Sequence, residues 1–434
     1  MNFKFGRRLA IQVAGTVMAF FLLAHVYTTF TMPPSIMTKV LEDANRTQTS
    51  ADFDPAPLSE TLQGQMLNKE HIYTKTEISE IVCSIMNHNM SLTAQLECSQ
   101  TIDEDRYAHL RSAATTTPQI QYFFALDLHQ VTHVILPLMG SIIEAMRYLG
   151  PERCALSIVE GRSTDGSYDI LAGLKQELAA MGVPYFLLGS QMDPLAILDQ
   201  RIPMLSKLRN IALEPLLEES RHKRSRLAPN PTVVFVNDIV LCPEDVLELL
   251  HQRVVQSATV TCSFDWREWG AAFYDQWVSR SMSGNLFFEV SHDGSTWFAQ
   301  DMFFDHPESA DRYNEGLPVQ VYSCWGGMIT LDANLFLQRN LSFRGAEPGE
   351  CYMGEPMALA KDCWRLGIGK ILAVPSVNVA YEYDEAYYSK EMHGYVHETV
   401  GAYNRSRELV EWQPPPGQVK CMPVFERQFW VPPV

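Results

Sequence analysis

The sequence predicts an α/β domain, a mainly parallel sheet with helices on both faces, preceded by one transmembrane helix. Between residues 154 and 374, short apolar runs alternate with amphipathic helical stretches. This alternation is typical of parallel sheets that have helices on both faces. One stretch near the N-terminus is apolar throughout. The whole chain has 46% hydrophobic and 20% charged residues, the composition of an ordinary globular protein.

The apolar stretch 9–30 predicts the transmembrane helix. It contains no acidic residue, lysine or arginine, and as a helix it would span roughly 33 Å, close to the hydrocarbon thickness of a bilayer. Because Lys4, Arg7 and Arg8 precede it, the positive-inside rule places residues 1–8 in the cytosol and the rest of the chain in a lumen. A cleaved signal peptide is the alternative, although its apolar core would be only about 7 to 15 residues long.

The segments after the anchor have features of a lumenal domain. Residues 31–70 are rich in proline and polar residues, which predicts a stem; residues 71–400 are assigned to the lumenal domain and 401–434 to a C-terminal tail. All nine cysteines follow the anchor, so several would pair in an oxidising lumen and at least one would stay unpaired. Four N-x-S/T sequons predict a glycoprotein: Asn45, Asn89, Asn340 and Asn404.

The net charge narrows the class of ligand. The chain carries a formal charge of −17, and an acidic surface repels phosphate backbones, so the sequence predicts no nucleic-acid partner. A nucleotide held through a divalent cation is compatible with that charge, because the cation supplies the local positive charge.

Apolar spacing predicts the elements in chain order. Helices are expected around 76–98 and 103–113, at the end of segment 120–150, over 168–181 and 194–220, and from 243 onward. Strands are expected at 155–160, 183–188, 232–236, 259–264, 318–323 and 370–374. Ligands of such sheets bind beyond the carboxyl ends of the strands, so the residues that follow each strand are the candidates for a site.

The first candidate motif is Glu160-Gly161-Arg162-Ser163-Thr164-Asp165-Gly166-Ser167, directly after a predicted strand. Its acidic residue and its Ser/Thr-Asp-Gly turn could hydrogen-bond a ribose or a base and lead a nucleotide to a helix N-terminus. The structural alternative is an ordinary turn with an aspartate or serine cap.

Two further motifs follow later strands. Asn237-Asp238 could place a carboxylate on a Mg²⁺ or Mn²⁺ ion that bridges a diphosphate, or could be a strand-end turn. In Trp325-Gly326-Gly327, the glycines would allow a ligand to approach the backbone closely, and the tryptophan could stack on a sugar. The structural alternative is a buried tryptophan before a tight turn, which would have the same sequence pattern. The order of the motifs is that expected of a GT-A-type nucleotide-sugar transferase.

The ordered motifs resemble those of a known family. The sequences SIVEGRSTDGS, VVFVNDIVLCPEDVLELL, ATVTCSFDW, CWGGMITLDA and LSFRG followed by GECYM are similar to those of the fungal cryptococcal α-1,3-mannosyltransferase family, glycosyltransferase family 69. The resemblance runs from roughly residue 120 to residue 385. It implies a type II Golgi membrane enzyme that transfers mannose from GDP-mannose to a glycan acceptor with retention, using Mn²⁺ or Mg²⁺.

The resemblance also implies roles for individual residues. The segment after Arg344-Gly345 departs from the family pattern, which affects the acceptor more than the reaction class. The implied roles are nucleotide-sugar binding by Glu160, Arg162, Asp165 and Asn237, metal binding by Asp238, catalysis by Asp265 and Glu350, and sugar or acceptor binding by Trp325, Gly326 and Gly327.

The chemistry leaves alternatives open. Retention needs either a carboxylate nucleophile or same-face attack, and Glu347 and Glu355 are further candidate carboxylates; each of these acids could instead bind a hydroxyl or be structural. His393 or His397 could add a metal ligand. A glycoside hydrolase would also use paired carboxylates, and a membrane-anchored, non-catalytic scaffold that partners another transferase would need no chemistry at all.

Overall fold

The computed structural model describes residues 72–87, 96–99, 101–111, 119–196, 200–292 and 298–434. The predicted cytosolic tail, the predicted anchor, the whole of the predicted stem and the sequons Asn45 and Asn89 lie outside these residues. Within the described ranges, no helix combines the length and the apolar character needed to cross a membrane.

The centre of the described chain is a large mixed sheet. In the part of the chain that the structure describes, ten strands form it in the order β3-β2-β1-β4-β9-β5-β10-β8-β7, with β6 paired to β5. The strands are β1 Ile120–Leu128, β2 Cys154–Gly161, β3 Tyr185–Ser190, β4 Leu227–Val236, β5 Val260–Arg267, β6 Ala272–Phe273, β7 Arg280–Ser281, β8 Val319–Ser323, β9 Met328–Asp332 and β10 Ile371–Ala380.

The sheet is mixed, whereas the sequence predicted a mainly parallel one: among the described residues four of its strand pairs are parallel and five are antiparallel. Strands β3, β2, β1 and β4 pair in parallel, and so do β5 and β10. Strand β9 runs antiparallel between β4 and β5, with Met328 opposite Val236. The start of β9 therefore lies at the same edge of the sheet as the carboxyl ends of β4 and β5.

The helices flank this sheet in the expected alternation. The predicted helix over 168–181 is two helices that meet at Leu174, and the helix expected over 194–220 begins at Arg201. In chain order the helices are α1 Lys75–Met86, α2 Glu104–Arg111, α3 Ile135–Leu149, α4 Ser167–Gly173, α5 Lys175–Met181, α6 Arg201–Arg221, α7 Pro243–Val255, α8 Pro307–Asn314, α9 Asn334–Leu337, α10 Glu355–Arg365, α11 Tyr383–His393 and α12 Val396–Ala402.

Alternate residues of the central strands bury their side chains in two separate cores. Phe124 and Val234 pack into a core that includes α3 and α7, whereas Phe123 and Val233 pack into a core that includes α6 and α10. Side chains alternate across a strand, so these two cores lie on opposite faces of the sheet. The predicted α/β class with helices on both faces is therefore confirmed.

Strand β1 is the main element that the sequence analysis did not identify. It is nearly entirely buried, and it pairs with both β2 and β4. Its sequence, IQYFFALDL, mixes aromatic residues with Asp127, so it shows neither clean alternation nor a purely aliphatic run.

The predicted C-terminal tail contains an ordered hairpin. Strands β11 (Val419–Val424) and β12 (Arg427–Val431) pair in antiparallel fashion, and Cys421 forms a disulfide with Cys351. The backbone N–H of Lys420 also donates to the Gly284 carbonyl oxygen at 2.8 Å. The hairpin is thus bonded both covalently and through its backbone to the rest of the domain.

Six of the nine cysteines form disulfides, which satisfies the expectation that several would pair. The pairs are Cys98–Cys242, Cys262–Cys324 and Cys351–Cys421. The remaining cysteines are Cys83, which is exposed, and Cys154 and Cys363, which are buried.

We expect loss of the Cys98–Cys242 disulfide to lower the free energy of unfolding by about 3–5 kcal/mol, because it closes a long loop in the unfolded chain. Chemical denaturation of the Cys98→Ser/Cys242→Ser variant measures this difference. Cys83→Ser, which removes an exposed unpaired thiol, is the control and should leave the transition midpoint unchanged. Equal midpoints for both variants would contradict the prediction.

Candidate active site

Polar side chains from several elements converge at the carboxyl edge of the central strands. Asp127 ends β1, Asn237 and Asp238 follow β4, Asp265 lies in β5, and Tyr381 follows β10. Helices and loops add the other members. We call the following group the strand-end cluster: Asp127, Arg209, Asn237, Asp238, Asp265, Asp275, Trp325, Glu355 and Tyr381.

The side chain of Asn237 connects two of the loops at this edge. Its Oδ1 accepts from Trp325 Nε1 at 3.3 Å, and its Nδ2 donates to the Tyr381 hydroxyl at 3.4 Å. Its backbone N–H donates to the Gly327 carbonyl oxygen at 2.9 Å. These contacts fix the backbone that carries Asp238, so Asn237 acts as a positioning residue whatever it contacts in a ligand.

Asp238 is a carboxylate in a poorly solvated position. Burial raises the pKa of Asp238 above its usual range. Its own backbone N–H and the charges of His133 and Arg267 oppose this effect, and Glu382 adds to it. The carboxylate therefore lacks full neutralisation by the protein's own groups.

Asp127 is a second such carboxylate, close enough to Asp238 for their charges to interact. Burial raises the pKa of Asp127 to about 7, Arg209 opposes the rise, and the negative charges of Glu355 and Asp238 add to it. Asp127 therefore exchanges its proton near neutral pH, which suits a group that takes up or releases a proton during a reaction.

Arg209, from α6, is the cation beside these acids. It pairs with Glu355 at 2.9 Å, and its guanidinium carbon lies 3.5 Å from the centre of the Trp325 ring. Its Nη1 atom is buried and has no hydrogen-bond partner among the residues that the structure describes. Because a buried unsatisfied donor is unfavourable, this nitrogen is available to an anionic or hydroxyl-bearing ligand.

Asp265, which is fully buried, and Asp275, which is half-buried, form a pair of neighbouring carboxyl groups. Asp265 accepts from the Tyr381 hydroxyl at 2.9 Å and from the Asp275 N–H at 3.1 Å, while Asp275 accepts from the Gly326 N–H at 2.8 Å. Burial raises the pKa of both groups, and the charge of Asp275 raises that of Asp265 further. The catalytic role of Asp265 stays a prediction, and its enclosure favours positioning of Tyr381.

The predicted nucleotide loop after β2 uses its side chains within the protein. Glu160 accepts from the Ser163 N–H at 2.7 Å, and Arg162 pairs with Asp193. Asp165 accepts from both Thr132 and Ser167. Partial burial alone would raise the pKa of Asp165, but these hydrogen bonds outweigh it and lower the pKa. These three residues thus shape the loop, and their predicted contacts with a nucleotide stay predictions.

The loop that carries Trp325, Gly326 and Gly327 is packed tightly against β5. Gly326 has φ of +67°, and a Cβ atom there would lie 1.8 Å from the Ser263 carbonyl oxygen, so only glycine fits. The Trp325 ring is buried, and Arg209 covers it. In this arrangement Trp325 supports Arg209; its predicted contact with a sugar stays a prediction.

Glu350 lies in a separate ionic network. It contacts Arg344 at 2.7 Å, Arg365 at 3.0 Å and Lys361 at 3.2 Å. Burial alone would raise the pKa of Glu350, but hydrogen bonds from these basic groups and from the Glu347 N–H lower it to about 2. Glu350 is thus held as a carboxylate by neighbours outside the strand-end cluster, and its catalytic role stays a prediction.

The two histidines considered as metal ligands have other partners. His393 stacks on Trp266 with ring centres 3.7 Å apart and hydrogen-bonds the Gly270 carbonyl oxygen through Nε2. His397 pairs with Glu244 at 2.7 Å. Both side chains thus have partners within the protein, and a role of either as a metal ligand stays a prediction.

The sequence itself matches a characterised family over more than half its length. A family model described as Cryptococcal mannosyltransferase 1 matches residues 121–362. An α-1,3-mannosyltransferase of Cryptococcus neoformans var. neoformans serotype D is 32% identical in an alignment 339 residues long, and the match covers 72% of this chain and 72% of that protein. The chain belongs to the cryptococcal mannosyltransferase 1 family. It is therefore a glycosyltransferase.

Solved structures that resemble this family member are more distant. S. aureus TarS is 12% identical with a TM-score of 0.36, and the match covers 63% of this chain and 64% of that one, less than two thirds of TarS. A mannosyltransferase of Pyrobaculum calidifontis, solved with GDP-Man and Mn²⁺, is 9% identical with a TM-score of 0.34, and the match covers 70% and 68% of the two chains.

The strand-end cluster of this glycosyltransferase fits an open cation site. Among the described residues, no group of three or more histidine, cysteine or acidic side chains is arranged to enclose a metal ion. Mg²⁺ and related ions, however, bind transferred phosphates through one or two carboxylates and the substrate's own oxygens. Asp127 and Asp238 are two adjacent carboxylates whose pKa values are raised, so a dication there would relieve unfavourable charge.

The sequence analysis missed Asp127, Arg209, Asp275 and Tyr381. Asp127 would have been a candidate had β1 been identified, because an acid at the end of a buried strand is unusual. Arg209 left a weaker signal, a charged residue one turn before Leu213 on the apolar face of a helix. Asp275 reaches the site through the irregular connection after β6 and left no signal. Tyr381 directly follows β10, but the predicted strand ended at residue 374, so Tyr381 was not recognised as a strand-end residue.

Proposed function

We propose that this chain transfers mannose from GDP-mannose to a glycan acceptor with retention, forming an α-1,3 linkage with the help of Mn²⁺ or Mg²⁺. The observation that carries the proposal is the strand-end cluster, an acidic site with one unpartnered guanidinium nitrogen, in a chain whose relative is named an α-1,3-mannosyltransferase. The strand order, with antiparallel β9 between β4 and β5, supports a GT-A-type sheet.

In this proposal Asp238 and Asp127 are the residues that would hold the divalent cation. The cation, when bound, neutralises charge that develops on the leaving group. Arg209 donates from Nη1 to a phosphate or hydroxyl oxygen, and Asn237 and Tyr381 keep the backbone of Asp238 in place. Glu355 holds the guanidinium of Arg209 in position.

The proposed transfer forms one bond to C1 of the mannose and breaks another. The acceptor hydroxyl oxygen forms a bond to C1 of the mannose, and the bond from C1 to the diphosphate oxygen breaks. The hydroxyl proton passes to an oxygen of the departing diphosphate. Attack on the face that the diphosphate leaves gives retention without a carboxylate nucleophile.

We also propose that the protein is a single-pass type II protein of the Golgi membrane with this domain in the lumen. The apolar stretch 9–30 and its basic flank support the topology. The disulfides support an oxidising compartment. The sequons at Asn340 and Asn404, both exposed, are accessible to glycosylation.

The test is incubation of the full-length, detergent-solubilised protein with a panel of nucleotide-sugars, with and without Mn²⁺ and a chelator. We expect transfer from GDP-mannose, reduced at least about 100-fold by the chelator. Turnover of another donor alone would overturn the donor, and chelator-resistant transfer would overturn the metal. Cleavage of a glycoside without a nucleotide-sugar would indicate the hydrolase. An Asp238→Ala variant with full function in cells would indicate the scaffold.

A further inference from the structure

A strained turn directly after β5 is not used by the proposed reaction. Glu268, Trp269 and Gly270 have consecutive positive φ values of 50°, 55° and 90°. Two adjacent non-glycine residues in the left-handed region are unfavourable, and such strain persists where the surroundings impose it, often at functional sites. This turn is therefore a candidate functional feature outside the strand-end cluster.

Helix α11 holds this turn in place. Gly270 packs so closely that a Cβ atom would lie 3.0 Å from the Ser389 Cα atom, and its carbonyl oxygen bonds with His393 Nε2 at 2.7 Å. The Glu268 N–H donates to Glu385 at 3.3 Å. These contacts hold the backbone of the turn in its strained conformation, and they thereby fix the position of Trp269.

The result is a set of exposed apolar side chains fixed on a rigid base. Trp269 is 55% exposed, Tyr388 51% and Met392 59%. The rings of Trp269 and Tyr388 meet edge to face with centres 6.5 Å apart, and Met392 lies one turn after Tyr388 on α11. We call Trp269, Tyr388 and Met392 the aromatic platform.

The aromatic platform is continuous with the strand-end cluster. Arg267, two residues before Trp269, lies 4.2 Å from the centre of the Tyr274 ring and 5.8 Å from that of Tyr381. Tyr381 in turn donates to Asp265. The charge of Arg267 also reaches Asp238. A ligand bound on the platform therefore lies beside the proposed donor site.

The surroundings of the platform limit the chemistry of that ligand. Acidic residues of the turn and of the N-terminal part of α11 lie beside it: Glu268, whose N–H donates to Glu385, and Glu382, whose charge also acts on Glu385, where Arg267 is the nearby cation. Their charge disfavours anionic sugars and anionic lipid headgroups. Carboxylates accept hydrogen bonds from hydroxyl groups, and aromatic faces pack against the apolar face of a pyranose ring.

We propose that the aromatic platform binds an uncharged hexose unit of the acceptor glycan. Trp269 supplies the stacking surface, Tyr388 borders it, and the acidic residues accept hydrogen bonds from the sugar hydroxyls. Only a small area is involved, which suits one or two sugar rings better than a protein partner. This inference rests on the proposed function, because the hexose is assigned to the acceptor.

The experiment compares the full-length wild type with Trp269→Gly and Trp269→Tyr. Ligand-observed NMR with a neutral hexose disaccharide, in the absence of donor, measures platform binding directly. We expect the Kd to rise at least about tenfold in Trp269→Gly and to change by less than about threefold in Trp269→Tyr. The glycine variant should not melt at a lower temperature than the wild type, because glycine adopts positive φ without strain.

Further readouts separate this inference from the proposed function. A disaccharide capped with a uronic acid should bind more weakly than the neutral disaccharide. The control variant Trp430→Ala, which removes a 45% exposed tryptophan of the C-terminal hairpin, should bind the neutral disaccharide as tightly as the wild type does. Direct titration with GDP-mannose measures binding at the donor site. If GDP-mannose does not bind while the disaccharide still binds in a Trp269-dependent way, only the proposed function is contradicted. Equal disaccharide binding by wild type and Trp269→Gly, or preference for the charged sugar, would overturn the platform.

Discussion

Asp238→Asn is expected to lower the rate of sugar transfer about 10³-fold. The substitution keeps the size of the side chain but removes the charge that would bind a divalent cation at the donor diphosphate. Loss of one preorganised electrostatic contact in an active site typically lowers rates by about 10²–10³, and loss of the cation adds to that. Steady-state transfer from GDP-mannose at saturating Mn²⁺ measures the effect.

A readout independent of activity accompanies this variant. Mn²⁺ should raise the melting temperature of the wild type by binding the folded state, and it should have little effect on Asp238→Asn. Asp332→Asn, a matched change at the far end of β9, should retain both transfer and the Mn²⁺ effect. An Asp238→Asn variant that Mn²⁺ stabilises as strongly as the wild type would remove Asp238 from the cation site.

Asp127→Asn is expected to raise stability at neutral pH while lowering transfer about 10- to 100-fold. The difference between the usual pKa of 3.8 and a folded-state pKa of about 7 corresponds to about 4 kcal/mol. Asp127 is only half-buried, so we expect about half of that, about 2 kcal/mol, as the gain in the free energy of unfolding.

The sign of this effect follows from proton binding. The folded state binds the Asp127 proton more tightly, so the unfolded chain loses it first as the pH rises above about 4. The contribution of Asp127 to the free energy of unfolding therefore falls between about pH 4 and pH 7, and asparagine avoids that loss. Urea denaturation at pH 4 and pH 7.5 should show the advantage of Asp127→Asn only at the higher pH. The exposed Asp311→Asn provides the control, and a pH-independent gain would contradict the mechanism.

The sequence was most informative where local patterns determine structure. Apolar runs such as TVVFV and ALSIVE predicted their strands because side chains on central parallel strands are buried on both faces. The motif Asn237-Asp238 was placed correctly at a strand end because the strand before it is unambiguous. Each of these inferences needs only a few consecutive residues.

The parts of the cluster that depend on distant contacts were not accessible in this way. Arg209 reaches the site because α6 packs across β1 and β2, and Asp275 reaches it because an irregular loop folds back onto Asp265. Glu350 is the opposite case: the family resemblance implied a catalytic role for it, but three basic side chains contact its carboxylate. Tertiary packing decides which polar residues remain available to a ligand.

The position of β9 has a consequence for folding. Because β9 lies between β4 and β5, these two strands cannot join one sheet until Met328–Asp332 has been synthesised, and β5 gains its parallel neighbour β10 only after that. Until then, β4 and β5 each expose an unpaired edge that could pair with another chain. Asp238 and Asp265 meet at one edge only after this strand is inserted. The nascent chain therefore carries an aggregation-prone interval that ends as its active site assembles.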